Sequence, residues 1–205
     1  MNFKTVENST KEFLKDFGFE FDPRSMYYYK PVEGGHQVVF FHHHFYEDAS
    51  YMEYQVGVRL DEVENLVHKF LPSLTDYKNR SLTVIASLDM IDPNLPKRFL
   101  IESEEEAGSL LKDVESFFIS KGFQWLDKFS QPKNLEEWFN QDTKSKIPTQ
   151  NFTYRSSRGI VLSKLYNPAR YEETKKTYLG LLHKSGVTPF TLACFINLLN
   201  ELEGK

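Results

Sequence analysis

Two runs of the chain carry the period-two pattern of strands. Gln37 to Tyr46 and Tyr51 to Arg59 are rich in β-branched and aromatic residues, and Glu47-Asp48-Ala49-Ser50 between them carries turn formers. With those four as a loop, Tyr46 faces Tyr51 across an antiparallel hairpin. Side chains alternate faces along a strand, so Phe45/Met52, His43/Tyr54, Phe41/Val56 and Val39/Val58 fall on one side, which is the core side. Tyr46/Tyr51, His44/Glu53, His42/Gln55 and Phe40/Gly57 fall on the other, polar near the loop and apolar toward the strand start. A slip of one residue would bury Glu53 and Gln55, so the apolar pattern sets the register. A strand over Met26 to Lys30 and a turn over Pro31 to Gly35 lead into this hairpin and make a meander.

Elsewhere the period is helical. Ser9 and Glu12 stand at capping-box spacing before Phe13, Leu14 and Phe17, with Gly18 as the stop; an earlier start near Phe3 and Val6 fits the same pattern. Asp61 can cap a helix through Val63, Leu66, Val67 and Phe70 that Pro72 ends, and a charged loop follows. Leu82 to Ile91 is β-rich and Phe99 to Ile101 reads as a short returning strand. Ser103 and Glu106 open a helix through Leu110, Val114 and Phe118, which Gly122 closes. Gln124 to Phe129 and Asn134 to Phe139 read as short helices anchored by Trp125 and Trp138. Three helical segments end the chain, at 154–166, 168–184 and 188–202.

This order of elements predicts an α+β fold, an antiparallel sheet of about four to five strands with helices packed on it and a helical carboxyl-terminal extension. A polar run with Pro148 divides a sheet domain, 1–142, from a helical subdomain, 153–205, with 143–152 as the linker; one compact domain is the alternative. The 205 residues suffice for a substantial core, and 40% hydrophobic with 26% charged content is that of an ordinary globular protein. Charge changes the picture more. Net charge is −4, but residues 143–205 hold 10 Lys and Arg against 4 Asp and Glu, while the remainder is acidic. Arg155, Arg158 and Lys164 read as a basic helix edge, but no nucleic-acid motif accompanies them. No apolar run is long enough for a bilayer and the first residues lack the blocks of a signal peptide, so a cytoplasmic location without membrane contact is expected. Cys194, the lone cysteine, excludes an internal disulfide.

The candidate chemistry sits on the hairpin. His42, His44 and Glu53 converge on one face, matching the ligand types of a two-histidine, one-carboxylate site for iron or an open zinc site. The plainer expectation is no cofactor, since histidine and glutamate on a wet strand face are ordinary. Phosphate loops, nucleophile elbows, paired-cysteine motifs and dinucleotide fingerprints are absent from the sequence. Tyr27, Tyr28 and Tyr29 alternate, so either Tyr28 or the pair Tyr27 and Tyr29 joins Phe40 and Tyr46 in an aromatic patch. Tyr28, Phe40, Tyr46 and Tyr51 are the binding set that this predicts.

Phe13-Leu14-Lys15-Asp16-Phe17-Gly18-Phe19, the tyrosine strand after it, and Gly122-Phe123-Gln124-Trp125-Leu126 resemble a family of uncharacterised bacterial α+β domains that begin with a helix ending in Gly-Phe. Some such domains lie beside toxin systems, and the resemblance implies an immunity-like binding role. The expected function is therefore a non-catalytic protein-binding module, immunity-like or adaptor, with a metal-dependent enzyme at the hairpin as the alternative. A homo-oligomer joined through the hairpin edge is a third reading.

Overall fold

The computed structural model describes residues 3–46, 50–73, 75–143 and 151–204. In chain order the elements are α1 (Phe3–Asp16), β1 (Glu20–Asp22), β2 (Tyr27–Val32), β3 (Gly35–Phe45), β4 (Ser50–Leu60), α2 (Asp61–Phe70), α3 (Thr75–Arg80), β5 (Val84–Ser87), α4 (Leu88–Ile91), β6 (Phe99–Ile101), α5 (Glu104–Phe117), α6 (Phe123–Ser130), α7 (Pro132–Gln141), α8 (Phe152–Tyr166), α9 (Tyr171–Lys184) and α10 (Pro189–Glu203). The fold is α+β, as the order of patterns predicts. Packing divides the chain into two compact units, each assembled from two stretches: Met1–Val58 with Ile85–Lys128, and Arg59–Val84 with Phe129–Lys205.

The first unit holds the sheet. Strands β1, β2, β3 and β4 form a meander, and β4 also bonds to β5 and β6. In β2 and β3, Tyr28 pairs with Val39 and Val32 with Gly35, a hairpin turned at Gly34, whose φ of 73° suits glycine. The β3–β4 turn falls partly outside the described residues, because Glu47, Asp48 and Ala49 are not among them. Helix α1 lies against the Tyr54 face of the sheet, where the hydroxyls of Thr10 and Tyr54 meet at 3.0 Å in the core. It begins at Phe3, so Ser9 is inside it rather than at its cap. Its end is the expected one: Gly18 takes φ of 84° while its N–H donates to the Lys15 carbonyl and that of Phe19 to Leu14.

The Ser103 capping box forms in full, with Glu106 N–H donating to Ser103 Oγ and Glu106 Oε2 accepting from Ser103 N–H. The predicted stop at Gly122 does not. Helix α5 runs through a π-helical turn, Phe118–Gly122, into α6. Gly122 serves packing instead: a Cβ there would stand 2.8 Å from the ring of Phe117 and 2.9 Å from that of Phe118. The turn delivers Phe123 into a cluster in which its ring lies 4.4 Å from Phe17, 5.3 Å from Phe118 and 5.9 Å from Phe19.

The second unit is helical and arranged around α8, which packs against α2, α7, α9 and α10. Small residues let it approach its neighbours closely. Gly159 leaves room for the Tyr178 hydroxyl, which donates to Asn140 Oδ1 at 3.0 Å and to the Phe139 carbonyl at 3.2 Å. Asn140 in turn donates to Glu136 and to the Gly159 carbonyl, each at 3.0 Å. Side-chain hydrogen bonds thus tie α7, α8 and α9 together. The expected charged loop after Pro72 contains α3, and the β-rich run from Leu82 yields only four strand residues before turning helical at Leu88. Most of the expected linker, residues 144–150, lies outside the described residues.

Candidate functional site

Alternation along β3 places a ladder of rings on one face of the sheet. Tyr29 meets His36 edge to face at 6.4 Å, His36 stacks on Tyr27 at 6.1 Å, and Tyr27 meets Phe40 edge to face at 5.2 Å. Phe40 then stacks on His42 at 5.9 Å, and His42 lies 6.4 Å from His44. Beyond the strand end, Tyr46 meets Tyr51 at 5.7 Å. Exposure varies along the face: Tyr29 and His36 are half-buried, Tyr27 is buried, Phe40 half-buried, His42 exposed and His44 half-buried. At the tip Phe45 is 70% and Tyr46 60% exposed, and Leu100, paired with Tyr51 across β4 and β6, is also exposed. At the opposite end a cleft of about 520 Å³ is lined by Phe21, Asp22, Pro23, Arg24, Tyr27, Tyr29 and His36.

Of the predicted binding set, Phe40, Tyr46 and Tyr51 belong to this surface. Tyr28 does not: it pairs with Val39, points to the Tyr54 face and is 4% exposed. Its neighbours Tyr27 and Tyr29 take the place on the ladder, the second of the two parities that the alternation allowed. His43 also turns away from the ladder, its ring against Phe45 at 3.5 Å.

The electrostatics of the three candidate ligands are shaped by local partners. Desolvation pulls His42 below the ordinary histidine value; the Glu53 charge opposes that pull and His44 adds to it. Glu53 is buried, which by itself would raise its carboxyl, but it is held below the usual range by Arg98 and Gln55. Arg98 Nε donates to Oε2 at 3.0 Å and Gln55 Nε2 to Oε1 at 2.9 Å, so both carboxylate oxygens are engaged. Among the described residues no group of three or more His, Cys, Asp or Glu side chains is arranged to hold a metal ion. A metal at this face would have to draw Glu53 away from Arg98.

The second unit contains a polar constellation that the hydrophobic pattern did not reveal. Arg158 and Glu64 are both fully buried and bonded two-fold, Nε to Oε1 at 2.7 Å and Nη2 to Oε2 at 2.8 Å. The expected basic edge of Arg155, Arg158 and Lys164 is thus corrected: Arg155 and Arg158 point into the unit, because Glu64 and the Asp142 carbonyl receive them there. Burial would raise the Glu64 carboxyl, but the Arg158 charge and hydrogen bonds from its surroundings hold it far below the usual carboxylate range. One helical turn on, His68 Nε2 lies 3.3 Å from Glu64 Oε2. His68 Nδ1 meets Ser73 Oγ at 2.8 Å, and Ser73 Oγ meets the Tyr154 hydroxyl at 2.9 Å. The rings of Tyr77 and Tyr154 flank the imidazole at 5.5 and 5.8 Å. The spacing of Glu64 and His68 was visible as an i,i+4 pair on a helix; Ser73 follows five positions later, just past the helix end, and Arg158 and Tyr154 arrive through tertiary packing.

No described helix is long and apolar enough to cross a membrane. Comparison of this chain with protein-family models, with curated proteins and with solved structures finds no match.

Proposed function

We propose that this chain is a protein-binding module, an adaptor or immunity-like inhibitor, whose partner docks on the ring ladder of β2 and β3 and on the hairpin tip. The observation that supports this reading most is that the ladder runs from a buried Tyr27 to exposed His42 and Tyr46 on one face, with Phe45 exposed on the other side of the same tip. Rings with a polar tip give a partner large contact area at small entropic cost, and binding energy concentrates on such residues. The unit that carries them holds 18 Asp and Glu against 10 Lys and Arg, which suits a partner with basic side chains beside its apolar ones.

A photo-crosslinking residue placed at Tyr46, followed by mass spectrometry, identifies the partner, and the interaction is then measured by calorimetry with the purified pair. The triple variant Phe45→Ser/Tyr46→Ser/His42→Ser should weaken binding at least about 30-fold, the loss of roughly 2 kcal/mol expected of a hot spot. Unchanged affinity in that variant would refute the assignment of the face. Elemental analysis of the same preparations separates the metal alternative: a stoichiometric zinc or iron lost in His42→Ala/His44→Ala would make the hairpin a metal site instead.

A further inference from the structure

We propose that Ser73, His68 and Glu64 form an acyl-transfer site, with Ser73 as the nucleophile for uncharged carboxylic esters. The geometry is that of a serine beside a base: a hydroxyl within hydrogen-bond distance of an imidazole, and a carboxylate in charge contact with the far side of the ring. Ser73 Oγ lies 2.8 Å from His68 Nδ1, and the far ring nitrogen lies 3.3 Å from a carboxylate. The constellation is graded in exposure. Glu64 is fully buried, His68 is buried, and Ser73 and Tyr154 are half-buried.

The parts that surround the serine have definable tasks. Arg158 grips both oxygens of Glu64, which fixes the carboxylate 3.3 Å from His68 Nε2. In the tautomer that carries its proton on Nε2, Nδ1 is the acceptor for Ser73. Tyr77 and Tyr154 hold the ring from two sides. Ser73 itself follows Pro72 and the extended Leu71 that ends α2. Tyr154 places a neutral hydroxyl beside Oγ, which suits a neutral ester better than a phosphate.

In the reaction, Ser73 Oγ bonds to the ester carbonyl carbon as its proton passes to His68 Nδ1. The tetrahedral adduct collapses with cleavage of the carbon to alkoxy-oxygen bond, and the departing oxygen takes the proton from His68. Water then repeats the sequence on the acyl-serine, releasing the acid and restoring Ser73. No oxidant or further reactant is required. Glu64 is a positioning residue here and does not become protonated.

The test uses the full chain and a fluorophosphonate probe, which phosphonylates activated serines. Peptide mass spectrometry of the labelled wild type should place the adduct on Ser73, and Ser73→Ala should abolish it. His68→Gln should slow labelling at least about 100-fold, the contribution of a general base, with circular dichroism confirming that the variant is folded. A wild type that gives no adduct at Ser73 overturns the proposal, and so does labelling of Ser73 at equal rate with His68→Gln. The wild-type adduct map decides the matter even if the histidine variant fails to fold. The proposal is independent of the ladder reading, since every residue it uses lies in the other unit.

Discussion

The two units treat their polar and aromatic side chains in opposite ways. In the first, β3 sets Phe40, His42 and His44 in a row on a face that opens to solvent, and the carboxylate nearby, Glu53, is partnered by a half-exposed Arg98. In the second, α8 carries Arg155, Ser156, Ser157 and Arg158 inward, and the carboxylate that meets Arg158, Glu64, is sealed from water. The difference separates surfaces that can be altered without unfolding from interiors that cannot. A charge pair with one member in water, as Arg98 is, gains less, because solvent competes for that partner. A sealed pair holds only as a pair, since either member alone leaves an unpaired buried charge.

The sharpest way to break the comparison is at Arg158. Arg158→Ala should cost about 3–5 kcal/mol in chemical denaturation, because it leaves the Glu64 carboxylate buried without its cation. Replacing both by apolar residues, Glu64→Leu with Arg158→Met, should recover most of that loss. Equal losses in single and double variants would show that the pair's charges are not what matters. Next comes Gly159→Ala, whose Cβ would stand 2.3 Å from the Tyr178 hydroxyl; displacing a buried ring bonded to Phe139 and Asn140 should cost about 1–3 kcal/mol, read from the denaturation midpoint.

A third measurement follows stability with pH. The folded Glu64 carboxyl lies below its unfolded value near 4.5, so its contribution is complete above that value and is lost as pH falls toward the folded one. Denaturation at pH 7, 5 and 3 should therefore show a loss concentrated below pH 5, and the Glu64→Leu/Arg158→Met variant should lose less there. In the sheet unit, Tyr54→Phe removes one buried hydrogen bond with Thr10 and should cost about 1 kcal/mol. The smallest change is expected at the hairpin tip, where Phe45→Ser/Tyr46→Ser should alter stability by less than about 0.5 kcal/mol per substitution while weakening the partner. A large loss of stability there would mean that the tip is part of the core.

The strand pattern was the most legible part of the chain because period two leaves only two choices of face, and buried Val39, Met52, Tyr54, Val56 and Val58 agree with the choice made, whereas Phe45 on the same side is exposed at the tip and Glu53 on the other side is buried. The same rule left Tyr28 undecided against Tyr27 and Tyr29, since three like residues in succession carry no signal of parity. Helix α8 was legible as a helix but not as the centre of a unit. Its arginines and serines read as a wet face, and only Glu64, some ninety positions earlier, makes burial acceptable. The candidate site divides likewise: His42, His44 and Glu53 follow from local register, whereas His68, Ser73 and Tyr154 meet through packing that no local period records. Gly122 shows a third kind of loss, in which a residue's usual role as a stop hides its use as space.

The π-helical turn at Phe118–Gly122 also fixes where the chain tolerates change in length. Each residue advances a helix by about 100°, so removing one from this turn would swing every later side chain of α6 by that angle and carry Phe123 and Leu126 out of their pockets. Ile119, Ser120 and Lys121 are exposed and can be exchanged for other residues. Their number cannot: the count of residues between Phe118 and Phe123, more than their identity, is the information that this turn stores.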